Sequence, residues 1–155
     1  MSLTEGMVLH VSGGLLPQGL LVRRLEARGG QARLRVRFEP RAGLLGGAVR
    51  SERRSGALVC TRGSLAVALQ AAPDLPVVPG STAETPLEPG RPLTFALMVS
   101  DRQPIVFVDP DDALRMLEDT DRWWRQWSSR ITYHGPLVGS VVRSLITLRL
   151  LTYSP

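Results

Sequence analysis

Arg33-Leu34-Arg35-Val36-Arg37-Phe38 alternates charged and apolar side chains without a break. A period of two puts Leu34, Val36 and Phe38 on one face of an extended strand and three arginines on the other, so one face is buried and the other is wet. The run Leu20 to Ala27 precedes it, separated by Arg28-Gly29-Gly30-Gln31. Gly-Gly supplies the positive φ of a tight hairpin, and the two strands are therefore expected to pair.

The same grammar continues outward. Short apolar or alternating runs lie at Ala57 to Arg62, Ser64 to Ala71, Leu93 to Ser100 and Ile105 to Val108, with Arg62-Gly63 and Asp101 to Pro104 as turn signals. Between Ala72 and Pro92 there are six prolines, ending in Glu88-Pro89-Gly90-Arg91-Pro92. Proline cannot donate to a β ladder, so 72–92 is expected to be an exposed loop. The expected fold class is mainly β, an antiparallel β-sandwich over 1–108 followed by two C-terminal helices.

The pattern changes at Asp109-Pro110-Asp111-Asp112, which combines an N-cap acid, proline at the first helical position and acids in the first turn. Ala113, Leu114, Leu117, Trp124 and Trp127 follow at spacings of three and four, with Thr120 or Asp121 between them, which predicts a linker helix over 109–131. After Tyr133-His134-Gly135, Pro136 opens a second predicted helix over 136–153, whose apolar face includes Val141, Leu145 and Leu148.

The 155 residues suffice for one domain with a core. The formal net charge is +5 and the isoelectric point near 10.9, yet all 19 basic residues are arginine and they are spread along the chain. The stretch Arg23 to Arg54 holds a single aromatic, Phe38, whereas surfaces that track single-stranded nucleic acid interleave basic and stacking residues. An Arg-rich nucleic-acid binder is thus the third reading, and no nucleic acid is expected as partner. Cys60 is the single cysteine, which excludes an intrachain disulfide and a cysteine-based zinc site. Met1-Ser2-Leu3-Thr4-Glu5-Gly6 lacks the basic and apolar regions of a signal peptide. The apolar stretch Leu145 to Leu151 is interrupted by Thr147 and Arg149, far short of the roughly 20 residues a membrane span needs. No membrane association and a cytoplasmic location are expected.

The sequence offers no catalytic constellation. Asp109, Asp111, Asp112, Glu118, Asp119 and Asp121 are the densest acids, and their placement reads as helix capping and a wet helix face. An EF-hand's central glycine and terminal glutamate are missing. His10 and His134 are not spaced as metal ligands, so neither metal nor cofactor is expected. Ser12-Gly13-Gly14 and Gly43 to Gly47 lack the context of phosphate loops and read as turns. Trp124 and Trp127 share the apolar stripe and read as packing; Trp123 projects away and is the candidate for stacking on a sugar ring.

Trp124-Arg125-Gln126-Trp127-Ser128-Ser129-Arg130, then Tyr133-His134-Gly135-Pro136, then the run from Val142-Arg143-Ser144-Leu145 to Leu151-Thr152-Tyr153-Ser154-Pro155, resembles bacterial glycoside hydrolase family 15, the glucoamylase and trehalase-like enzymes. Leu21-Val22-Arg23-Arg24-Leu25 and Arg33 to Phe38 with Glu39-Pro40-Arg41 look like central strands of that family's N-terminal super-sandwich, and Thr4-Glu5-Gly6-Met7 like a strand end. The resemblance implies a non-catalytic domain and linker, with 136–153 as the first helix of an (α/α)6 catalytic barrel that this chain does not include. It implies packing roles for Trp124, Trp127, Tyr133, Arg143 and Ser144. Both family acids lie beyond Pro155 and the family's first hairpins are missing, so a fragment or a truncated gene is expected and no residue here is catalytic. The alternative is a carbohydrate-binding module using Trp123 and loop 72–92 to hold an α-glucan or disaccharide. A first barrel helix without its barrel is expected to make the chain a homo-oligomer.

Overall fold

The computed structural model describes residues 1–9, 19–41 and 49–152. Eight strands and two helices follow in order: β1 (Ser2–Met7), β2 (Gly19–Glu26), β3 (Ala32–Arg37), β4 (Arg50–Arg54), β5 (Ala57–Arg62), β6 (Leu65–Ala72), β7 (Thr82–Leu87), β8 (Leu93–Asp101), α1 (Pro110–Ser128) and α2 (Val138–Leu151). The fold is mainly β, with two antiparallel sheets and two C-terminal helices, as the sequence predicts. Six strands form one sheet in the order β1-β2-β8-β6-β5-β4, and β3 pairs with β7 in a second, two-stranded sheet.

The long strand β8 lies at the centre, and its alternation builds two cores at once. Leu93 and Phe95 face the small sheet, where they meet Leu58, Cys60, Leu69, Leu75, Val77 and Leu87. Ala96 and Met98 face the other way, toward Leu20, Val22, Val59 and helix α1. The large sheet is therefore covered on both faces, by β3–β7 on one side and α1 on the other. Beneath α1 the floor is small: Ala57, Ala68 and Ala96, with Ala113 of the helix itself, are all fully buried. Gly6 serves the same approach, since a Cβ there would lie 2.7 Å from Leu117 Cδ1.

Three expectations are corrected. First, β2 and β3 do not form a hairpin; β2 pairs with β1 and β8, and β3 pairs with β7. Both edges of β2 are thus taken, and Arg28 to Gln31 carries the chain from one layer to the other. Second, 72–92 is not simply a loop, because β7 lies within it and pairs with β3 from Ala32↔Leu87 to Arg37↔Thr82. Pro86 is tolerated because β7 has one ladder neighbour among the described residues, so its missing N–H can point away from it. Third, Ile105 to Val108 is not a strand. Both edges of β8 are occupied by β2 and β6, so no ladder is open to it. Instead Ile105, Val106 and Phe107 pack against the helix-side core, and the Val108 N–H donates to Met98 Sδ at 3.1 Å.

One strand escapes hydrophobic patterning altogether. All five residues of β4, Arg50-Ser51-Glu52-Arg53-Arg54, are exposed. The strand exists because Ser55 and Gly56 both take positive φ (51° and 78°), the geometry of a two-residue hairpin that folds β4 onto β5. Its charges also discourage further pairing at that edge.

The assigned period of β3 gives a stability test. Val36 faces the small-sheet core but is half-buried, so a carboxylate there stays partly hydrated. Val36→Asp is expected to cost about 2 kcal/mol, less than full burial would demand, while Arg35→Ser costs within about 0.5 kcal/mol. Urea melts of the two variants check this, and equal effects would contradict the assignment.

Candidate functional site

Of the expected site residues, Trp123, Trp124, Trp127 and Tyr133 lie where α1 ends and α2 begins, and Arg143 and Ser144 lie within α2. Helix α1 starts as its sequence dictates: Asp109 Oδ1 accepts the Asp111 N–H at 2.9 Å, and Pro110 is buried. Ala113 and Thr120 are buried on the sheet side, and Thr120 Oγ1 accepts the Leu9 N–H at 3.3 Å while donating to the Met116 carbonyl at 2.9 Å. On the outer side Arg115 pairs with Asp112 and Arg122 with Asp119, and Arg125 lies 2.6 Å from Asp121. Four of the six dense acids of this segment are thus engaged, Asp109 as a cap and Asp112, Asp119 and Asp121 in helical i,i+3 and i,i+4 ion pairs.

Trp123, Trp124 and Trp127 are all half-buried at the end of this helix. Trp124 sits between the other two, edge to face with each: its ring centroid lies 4.8 Å from Trp123 at 83°, and 5.6 Å from Trp127 at 82°. Adjacent in sequence, Trp123 and Trp124 diverge by about 100° on the helix. Trp123 nonetheless joins the cluster rather than standing clear of it. After α1, the Tyr133 hydroxyl donates to the Pro136 carbonyl at 2.9 Å and the ring lies over Gly135, where a Cβ would collide with it. This closure turns the chain into α2, with Leu137 as a left-handed N-cap residue (φ 62°) that has no side-chain cap bond.

No residue of α2 is buried. Arg143 and Ser144 are exposed, Val141, Val142, Leu145 and Ile146 are half-buried, and the last turn exposes Leu148, Leu150 and Leu151. Among the described residues, α2 packs against α1. His134 is exposed, whereas His10, Ser12 to Gly14, Gly43 to Gly47 and Tyr153 lie outside the described residues. Among the described residues no group of three metal-ligating side chains comes together, and no helix is long and apolar enough to cross a membrane. Cys60 is buried in the small-sheet core, and desolvation pushes its thiol above the ordinary range.

A second feature has no counterpart among the expected site residues. An open cleft of about 340 Å³ lies between the two sheets, floored by Leu21, Leu25, Leu69, Phe95 and Leu97 and walled by Leu34 and Val36 of β3 and by Phe38 just after it. A larger depression between β1, β2 and α1 is charged instead, with Glu5, Arg24, Glu26, Glu118, Asp121 and Arg125 around it. Its Arg24 and Glu26 pair with each other at 2.7 Å, as Arg125 does with Asp121.

Compared with known proteins, the chain matches no family model, no curated protein and no solved structure.

Proposed function

We propose that this chain is a non-catalytic structural domain that presents the first helix of a helical catalytic domain, of the kind found in glycoside hydrolase family 15 enzymes acting on α-glucosides. The observation that carries the reading is α2. It leaves a β body already covered on both faces, holds no buried residue, and carries three exposed leucines in its last turn. A helix with that surface is built to be covered by further helices. The resemblance of residues 124–155 supplies the substrate class, and the Tyr133 closure at Pro136 gives α2 a fixed direction of departure.

The acids of α1 support the non-catalytic part. A hydrolase needs two carboxyl groups across a scissile bond, about 6.5 to 9.5 Å apart for inversion. Asp109 is a cap, and Asp112, Asp119 and Asp121 each face an arginine on the same helix.

The purified chain is expected to release no glucose from maltose, soluble starch or trehalose. Turnover that disappears when one acid between Asp109 and Asp121 is changed to its amide would overturn the reading. Titration with the same sugars is expected to show no binding. Millimolar or tighter affinity lost in Trp123→Ala would replace the structural role with that of a carbohydrate-binding module.

A further inference from the structure

We propose that the free edge of β3 is a docking site for an extended segment of a partner protein whose side chains alternate acidic and apolar. Four features of the edge lead to that occupant.

The first is an open backbone edge. Among the described residues β3 pairs on one side only, with β7. Pairs in an antiparallel ladder alternate between bonded and non-bonded types. Proline has no N–H to give, so Arg33↔Pro86 belongs to the non-bonded type, and so do Arg35↔Glu84 and Arg37↔Thr82. The backbone N–H and C=O groups of Arg33, Arg35 and Arg37 therefore point to the open side, ready to pair with an added strand.

The second is an apolar floor beside that edge. The cleft between the sheets is lined by β2, β3, β6 and β8, with no residue of β7, so it lies on the open side of β3. The floor continues onto β1. Register places Leu3 and Met7 opposite Leu25 and Leu21, on the face of the cleft, and both are more than half exposed. An added strand would lay every second side chain onto this surface.

The third is charge. Arg33 and Arg35 both reach Glu84, at 3.8 and 3.0 Å, and Arg37 and Arg41 both reach Glu39. Four arginines share two glutamates, which leaves the outer face of β3 electropositive. The existing neighbour shows what this face accepts: β7 turns Glu84 outward to the arginines and Ala83 and Leu87 inward to the core. A strand on the other side meets the same demand, with acids outward and apolar groups inward.

The fourth discriminates among occupants. A second copy pairing through β3 would set arginine against arginine across the ladder, which is destabilising. The chain's two internal stretches outside the described residues, 10–18 and 42–48, contain no acid.

The probe is a blocked, fluorescently labelled peptide alternating glutamate and valine, compared with its lysine and valine counterpart by anisotropy on the full chain. The acidic peptide is expected to bind at least about tenfold more tightly, from three added cross-strand charge pairs. Binding should weaken with salt and slow amide exchange at Arg33, Arg35 and Arg37. Arg35→Pro removes an outward donor without touching the β7 ladder and is expected to abolish binding while thermal unfolding stays cooperative. The triple variant R33E/R35E/R37E keeps the proposal testable if the proline variant fails to fold, because it should reverse the preference toward the lysine peptide. Equal or absent binding of both peptides would overturn the proposal, as would amides at these three positions already protected in the free chain, or a dimer that R33E/R35E/R37E disperses.

Discussion

Truncation after Val108 is expected to abolish cooperative folding, whereas truncation after Arg130 leaves the thermal midpoint within about 3 °C of the full chain. The contrast follows from what each helix covers. Removing α1 bares the face of the large sheet built from Leu20, Val22, Ala57, Val59, Ala68, Ala96 and Met98, and takes away Ala113, Leu114, Met116 and Leu117 that pack on it. Three side chains of the size of leucine or methionine contribute about 1.5 to 3 kcal/mol each when fully buried, and those of α1 are partly so. The sum is still comparable with the roughly 5 to 15 kcal/mol that holds a domain together. The loss also leaves the Leu9 N–H without the Thr120 hydroxyl and uncovers the sheet's interior alanines. Removing α2 takes away no buried residue.

A variant of the full chain makes the same argument without truncation. Ala96 and Ala113 are both fully buried in the core under α1, where added volume must lift the helix. Ala96→Leu is expected to destabilise by about 1 to 3 kcal/mol through overpacking, measured by urea unfolding. Cooperative melting of residues 1–108 alone, or a neutral Ala96→Leu, would show that α1 is an appendage and not a layer of the body.

Local chemistry made much of this fold legible. The alternation of Arg33 to Phe38 places β3 and its buried face correctly, and the cap at Asp109 and the stripe from Ala113 to Thr120 place α1 on the sheet. What sequence could not reveal is pairing at a distance. Arg35 meets Glu84 across 49 residues, and the partner strand hides among prolines that ordinarily signal a loop. Strand β4 has no apolar residue to betray it and depends on the positive φ values of Ser55 and Gly56. The tryptophans were legible as a helical stripe, but the projection of Trp123 by about 100° did not foretell its edge-to-face contact with Trp124. The cleft beside β3 was invisible for the same reason as the β3–β7 pair: its floor comes from β2, β6 and β8, brought together only by the sheet order. The uniform positive charge of β3's wet face was the available signal.

The full chain is expected to run as a dimer or larger assembly in light scattering, and truncation after Arg130 to return it to a monomer. The reason lies in the surface of α2. Leu137, Val138, Leu148, Leu150 and Leu151 are 78, 46, 61, 51 and 76 % exposed, a density of bare aliphatic surface that a soluble monomer seldom tolerates. At about 100° per residue, Leu148 and Leu151 share one face as i,i+3 neighbours while Leu150 lies about 160° from Leu148, so α1 alone cannot cover all three. A 14-residue helix is also marginal in water without tertiary support. A two-fold contact is expected to supply that support, because one patch then completes itself. Leu145 is half-buried, so Leu145→Glu would perturb the helix as well as the contact; Leu148→Glu and Leu151→Glu act on exposed positions and are the cleaner tests. Each is expected to shift the assembly toward monomer with an unchanged thermal midpoint for the β body. A full chain that stays monomeric at all accessible concentrations, with α2 helical by circular dichroism, would mean that α1 suffices to hold it, and would remove the main support for reading α2 as a helix awaiting others.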